Sequence, residues 1–146
     1  YNNALKVFKS AALIFRTIHG SLHLSLARSL CKVGLAACYI NTNDADKFAL
    51  KAFNEAFEIQ LQTFGPAHID TVDSLNNLAG IYLRMHKLNA ARKGYHEVYI
   101  IRQVLLGPHH PSVAITSHTL GGVYMRLGQL GNAAHYYNQA MDIYQE

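Results

Sequence analysis

The chain contains one passage written twice at a fixed distance, and that repetition limits what it can fold into more than any other feature. Phe64-Gly65-Pro66-Ala67-His68 returns as Leu106-Gly107-Pro108-His109-His110, and Leu78-Ala79-Gly80-Ile81-Tyr82-Leu83-Arg84 returns as Leu120-Gly121-Gly122-Val123-Tyr124-Met125-Arg126. Both copies lie 42 residues beyond their originals. A period of this size marks an array of helical units that bury their apolar faces only by stacking on one another. A second pattern shares the period. Ala49, Phe53, Ala56 and Ile59 recur as Ala91, Tyr95, Val98 and Ile101, then as Ala133, Tyr137, Ala140 and Ile143; Ala4, Phe8, Ala11 and Ile14 precede the first of these sets by 45 residues. Such spacing lies along one face of a helix. The small residues let a neighbouring helix approach closely, and the aromatic fills the gap between them.

Four copies of this second helix are therefore expected, with three first helices between them at roughly 24–40, 69–86 and 111–127. Gly20, Gly65 and Gly107 close the preceding helix, and Pro66, Pro108 and Pro111 favour a new start while blocking continuation. Asp70 and Ser112 fit N-cap or first-turn positions. Short polar turns, Asn41-Thr42-Asn43-Asp44, His86-Lys87-Leu88-Asn89 and Gly128-Gln129-Leu130-Gly131, join the members of each pair. The first unit is irregular: Leu35, Ala36 and Tyr39 match Leu78, Ala79 and Tyr82 at 43 residues, while its second helix follows the one before it at 45. About three extra residues are thus expected there. The fold expected is all-α: seven antiparallel helices in a right-handed superhelical solenoid, read as one array over 1–146. Its parts are 1–18 (the second helix of a preceding unit), an irregular unit at 22–63, and units at 66–105 and 108–146. Tyr1-Asn2-Asn3-Ala4 reads as helix interior, so the chain is expected to be a segment of a longer array.

Composition narrows the chemistry. Half of the residues are apolar and only 15% are charged, against the usual quarter, so much nominal surface is expected to be covered. The net charge of +4 is spread over single Lys and Arg residues, which argues against a nucleic-acid footprint. Cys31 and Cys38, seven apart on one helix, stand about 10 Å apart by the helical rise, too far for a disulfide. Reduced thiols hint at a reducing, cytoplasmic compartment. No apolar run is long enough to span a bilayer, and no signal peptide is visible.

Nine histidines invite a metal or acid–base reading, and the spacing answers it. His23, His68 and His110 occupy equivalent helix entrances, which points to a repeated structural role. His19 and His23 are four apart with Gly20 breaking the helix between them, and His109-His110 lacks a Cys or carboxylate at ligand spacing. Neither a phosphate-cradling Gly loop nor a G-x-S-x-G, H-E-x-x-H or paired-carboxylate arrangement is present. No catalysis, cofactor or metal is expected. Tyr82, Tyr95, Tyr124 and Tyr137 fall on packing positions, whereas Tyr99, Tyr136 and Tyr144 fall outside that register and, with Met141 and Ile143, leave the last helix apolar and uncapped.

Leu78-Ala79 with Tyr82, followed by Ala91, Tyr95 and Val98, resembles the tetratricopeptide pattern, with a unit longer than the usual 34 residues. Leu106-Gly107-Pro108-His109-His110-Pro111 before a first helix, and Ser74-Leu75-Asn76-Asn77-Leu78-Ala79 inside one, resemble the kinesin light chain type. The resemblance covers essentially the whole chain, closely from 44 to 146. It implies a protein-interaction module whose first helices line a concave groove for an extended peptide or partner helix. Mapped onto this sequence, the groove positions are Asp73, Asn76, Gly80, Leu83 and Arg84 in the second unit, with Asn77 beside them in the motif. In the third they are Ile115, His118, Gly122, Met125 and Arg126. In the first unit they are Leu30, Val33, Ala37, Ile40 and Asn41.

Arg84 and Arg126 would stand as parallel guanidinium groups able to fork onto carboxylates, or else be solvated or pair with Asp73 or a neighbouring repeat. Asn76 can satisfy a donor and an acceptor of an extended backbone, and Gly80 and Gly122 leave room for one. The lining suits an acidic or polar peptide with one bulky apolar anchor. The family's carboxylate clamp is missing: Gly80 and Gly122 occupy its Asn position, and no Lys stands at the matching groove places. Ser117-His118-Thr119-Leu120 departs from the Ser-Leu-Asn-Asn pattern in the third unit. Two functions follow from the resemblance: an adaptor holding a peptide in the groove, or a structural subunit built into a larger assembly through its convex face and apolar ends. A regulatory domain attached to an enzyme elsewhere in a longer chain is a third. None involves membrane insertion.

Overall fold

A computed structural model describes residues 2–20 and 23–145, with the side chains at positions 2, 4, 5, 8 and 19 left aside. Among the described residues there are seven helices and no strand: α1 (Asn2–His19), α2 (Leu24–Cys38), α3 (Asn43–Phe64), α4 (Ile69–Arg84), α5 (Leu88–Leu106), α6 (Pro111–Arg126) and α7 (Leu130–Gln145). Each helix packs against its neighbours in the chain, and α2 also touches α4. The contacts are those of a solenoid, in which α2, α4 and α6 form one layer and the odd-numbered helices the other.

The repeated sequence signals act where helices begin and end. Gly20, Gly65 and Gly107 have φ of 79°, 81° and 90°, the left-handed region that stops a helix at low cost to glycine. The first helices then open on histidine. Nδ1 of His23, His68 and His110 accepts from the backbone N–H of Ser25, Asp70 and Ser112 at 3.1, 3.2 and 3.1 Å. Each ring satisfies one of the four N–H groups that a helix start leaves unpaired. Asp70 and Ser112 are thus first-turn residues, and the histidines have the structural role that their equivalence implied. At the far end of α4, Lys87 N–H reaches Tyr82 O at 2.8 Å and His86 N–H reaches Leu83 O at 3.1 Å; Gln129 and Gly128 make the same pair of bonds to Tyr124 and Met125 at the end of α6. This double closure needs one left-handed residue. His86 and Gly128 provide it, with φ of 58° and 73°, and Asn41 takes the same left-handed conformation, φ 54°, after α2.

These landmarks locate the irregularity. His23 to His68 and Asn41 to His86 are both 45 residues, whereas His68 to His110 and His86 to Gly128 are both 42. The extra residues therefore follow Asn41. They lengthen α3 to 22 residues, against 19 in α5, by one N-terminal turn. Thr42 caps that turn, its hydroxyl accepting from Ala45 N–H at 3.3 Å.

The layers meet in a core of small and aromatic residues. Ala49, Phe53, Ala56 and Ile59 of α3 are all buried, as are Ala91, Tyr95 and Val98 of α5 and Ala133 and Ala140 of α7. Tyr124 is buried with them, while Tyr82 and Tyr137 are half-buried at its edge. The first copy differs. Ala4 and Phe8 have side chains outside the described residues, Ala11 is half-buried, and Ile14 is 54% exposed. The equivalent face of α3 is covered by α2, where Ile59 packs with Leu26, Ala27 and Leu30. Among the described residues, no helix covers the corresponding face of α1 in this way.

Two tyrosines expected outside the packing register are in the core. Tyr136 stacks on Tyr124 with ring centroids 5.3 Å apart and meets Tyr99 edge-on at 5.6 Å. The Tyr99 hydroxyl accepts from Gln103 at 2.6 Å and from Gln139 of α7. The Tyr99–Tyr136 contact runs between pairs, which the spacing within one helix does not show. Met141 and Tyr144 are exposed. Among the described residues, no helix is long and apolar enough to cross a membrane.

Candidate functional site

With the register fixed by the histidine caps, one face of each first helix aligns across the array. Arg28, Cys31, Leu35, Cys38 and Tyr39 of α2 correspond to Asp73, Asn76, Gly80, Leu83 and Arg84 of α4, and these to Ile115, His118, Gly122, Met125 and Arg126 of α6. This corrects the expectation for the first unit. Leu30, Val33, Ala37 and Ile40 are 2%, 8%, 0% and 9% exposed and belong to the core, whereas Tyr39 is 89% and Leu35 46% exposed. Asn41, also expected in the groove, is the left-handed residue of the turn. The 43-residue match of Leu35-Ala36 with Leu78-Ala79 is a coincidence of residue types, and a slip of two positions turns a helix face by more than half a revolution. Arg28, Leu35 and Tyr39 are the residues missed, and the 45-residue step from His23 to His68 is the signal that finds them.

The two arginines that recur at 42 residues are not equivalent. Arg84 turns back on α3: its Nη2 and Nε donate to Asp46 Oδ1 at 2.9 and 3.2 Å, and Nη2 also reaches Asn41 Oδ1 at 3.3 Å. The position of Asp46 is taken by Leu88 one unit on. Arg126 accordingly has no ion-pair or hydrogen-bond partner among the described residues and is exposed. Parallel guanidinium groups are thus not found, and Arg84 follows the alternative of pairing with a neighbouring repeat.

Asp73 is also engaged. Its Oδ1 accepts from Nη2 of buried Arg102 on α5 at 2.8 Å, while Arg102 Nη1 donates to Thr116 Oγ1 of α6 at 2.8 Å. Gln60 and Ser74 make the corresponding bond one unit earlier, and Ser74 further contacts Cys31 Sγ at 3.1 Å. A polar residue late in α3 and in α5 thus ties into a hydroxyl of the next first helix. Such pairing keeps groups cut off from water satisfied.

The α6 face is the most open. Ile115 and Met125 are 56% and 49% exposed, and His118 and Arg126 are exposed beside them. The His118 ring rests edge-on against Tyr137 at 5.2 Å. A Cβ built on Gly122 would meet only the Tyr137 hydroxyl, at 3.5 Å, so the surface of α6 is low at this point. Asn76 and Asn77 are half-buried on α4. Burial pushes the Cys31 and Cys38 thiols above their ordinary value, which keeps them protonated and unreactive at neutral pH. Among the described residues, no group of three His, Cys, Asp or Glu side chains comes close enough together to hold a metal ion.

Stacked helix pairs with capped entrances and an open first-helix face define the helical-repeat class of interaction scaffolds. The family model for the tetratricopeptide repeat matches residues 34–93 and 70–146, and the chain belongs to that family. Tetratricopeptide repeat proteins mediate protein–protein interaction, and their fold is a non-catalytic scaffold. No curated protein matches the sequence. Among solved structures, BtubC (BKLC) from P. vanneervenii superposes with a TM-score of 0.86 at 20% identity, over 99% of this chain and 56% of its own. A Podospora anserina protein of kinesin light chain type, with nearly identical TPR-like repeats, gives 0.83 at 23% identity, over 97% of this chain and 66% of its own. At these identities the likeness is one of fold. The chain spans between half and two thirds of the length of these neighbours.

Proposed function

We propose that the chain is a non-catalytic adaptor that holds a peptide or partner segment along the concave face of α2, α4 and α6. The observation that carries this reading is the α6 surface: an unpaired guanidinium at Arg126, with His118, Ile115 and Met125 exposed on the same helix face. An open cation among apolar side chains suits an acidic or polar segment with one bulky apolar anchor. Gly122 gives such a segment room to approach. Leu35 and Tyr39 extend the apolar part of the surface onto α2, and Asn76 and Asn77 supply amides between the two ends. Arg84 and Asp73 hold the layers together and orient the face.

A structural-subunit reading is favoured by a different observation. Ile100 and Val104 of α5 and Met141 of α7 are 47%, 78% and 55% exposed on the other layer. Affinity pull-down with mass spectrometry separates the two, comparing the native chain with an Arg126→Glu/His118→Glu variant of unchanged helical content. Loss of the specific partner set from the variant places function on the first-helix face. An unchanged set refutes the adaptor reading and moves function to the outer layer.

A further inference from the structure

The seams between successive second helices are not alike. Tyr99 closes the seam between α5 and α7, its ring against Tyr136 and its hydroxyl bonded to Gln139. The residue one unit earlier is Phe57, and the one before that is Ala12. A methyl group cannot span the distance that a ring does. Between α1 and α3 the seam accordingly lies open as a cleft of about 920 Å³, with Ala12, Leu30 and Phe48 among its lining residues. Its rims carry Lys6 and Lys9 from α1 and Lys47 and Lys51 from α3. Two ion pairs are already made within it, Arg16 with Glu55 and Lys47 with Asp44. Lys6, Lys9 and Lys51 have no ion-pair or hydrogen-bond partner among the described residues. The volume lies in the range of ligand-binding clefts.

We propose that this cleft is a second docking site, on the layer opposite the first-helix face, for an acidic segment of a partner protein carrying an aliphatic or aromatic residue. The three unpaired ammonium groups select negative charge, and the apolar lining selects a side chain to cover it. The Glu55 and Asp44 carboxylates on the same walls disfavour a polyphosphate chain, which needs an unbroken positive track. A peptide places its carboxylates singly and avoids them. The cleft does not depend on the function of the α2, α4 and α6 face, and neither reading falls with the other.

The test is fluorescence anisotropy with a fluorescein-labelled, glutamate-rich peptide carrying leucines one helical turn apart. Four proteins are compared: the native chain, Lys9→Glu/Lys51→Glu, Ala12→Phe, and Lys87→Glu/Lys93→Glu. The last makes the same charge change away from the cleft, and Lys93 is the residue one unit beyond Lys51. Binding to the native chain is expected, with affinity reduced about tenfold or more in Lys9→Glu/Lys51→Glu. Ala12→Phe should reduce it similarly by filling the seam as Phe57 and Tyr99 do, and the Lys87/Lys93 control should bind as the native chain does. Lys9 and Lys51 are exposed, so their variant stays informative even if Ala12→Phe fails to fold. Absence of binding, equal binding by all four proteins, or tighter binding of an oligothymidylate than of the peptide overturns the proposal.

Discussion

Gly94 lies in the middle of α5 against Ala79 of α4, and the contact permits a prediction whose sign runs against helix propensity. A Cβ added at Gly94 would stand 2.9 Å from Ala79 Cβ and 3.5 Å from its Cα. Carbons in van der Waals contact settle at about 3.5–4.0 Å, so the helices would have to part. In an open helix interior, Gly→Ala stabilises by about 1 kcal/mol. Overpacking a closed contact costs about 1–3 kcal/mol, and Ala79 is 1% exposed on backbone that cannot swing aside. The clash should win, leaving Gly94→Ala destabilised by about 1 kcal/mol. Ala79→Gly alone loses helix propensity and a buried methyl group, about 2 kcal/mol together. The double variant only moves the methyl across the same contact. It should fall within about 1 kcal/mol of the native protein, a coupling of about 2 kcal/mol. Urea unfolding followed by circular dichroism measures each corner of the cycle, with Gly131→Ala as control. A Cβ at Gly131 meets nothing within 4 Å, so that change should stabilise by up to about 1 kcal/mol. If Gly94→Ala stabilises as Gly131→Ala does, or if the cycle is additive, close approach of α4 and α5 does not limit this position.

The register of α2 has its own test: Leu30→Asp should unfold the chain or cost several kcal/mol by burying a carboxylate, while Leu35→Asp should stay within about 0.5 kcal/mol of the native value by the same urea assay. Equal effects at the two sites would refute the 45-residue register. Burial pushes the Tyr95 and Tyr136 phenols above their ordinary value of 10, so between the unfolded and folded values the native state holds the extra proton. Stability should therefore be fully present below pH 10 and fall as pH rises from there through the raised values, by up to about 1.4 kcal/mol per pH unit per group. Tyr95→Phe/Tyr136→Phe should flatten that fall in alkaline melting curves, and an unchanged slope would refute the assignment.

The array is legible in the sequence because its landmarks are local. A glycine that must take positive φ, a histidine that caps, and small residues at helical spacing each act within a few residues of their own position. Pairings between units are not local, and there the sequence misleads. Arg84 and Arg126 are identical in type and spacing, yet Asp46 stands 38 residues before Arg84 and Leu88 at the same interval before Arg126. Tyr99 and Tyr136 are buried where they meet one another and Tyr124, which the spacing within either helix cannot reveal. The α2 face misleads for a third reason: Leu35-Ala36 matches Leu78-Ala79 in residue type at 43 residues, but only the capping histidine fixes where the helix begins.

The alternation of glycine across the pairs also bears on how the chain avoids assembling out of order. Gly34 and Gly121 yield on the first helix, where an added Cβ would come within 2.7 Å of Phe53 and 2.8 Å of Tyr137; in the middle pair it is Gly94, on the second helix, that yields. A chain of look-alike units risks mating a helix with the wrong sibling, within one molecule or between two. If α4 mated with α7, the Ala79 methyl would face Tyr136, which stands where α5 has Gly94. If α6 mated with α5, two glycines would face one another across an unfilled gap. The residue that serves close packing within each pair thus also serves as a key, and the middle pair is cut to the opposite pattern from those on either side.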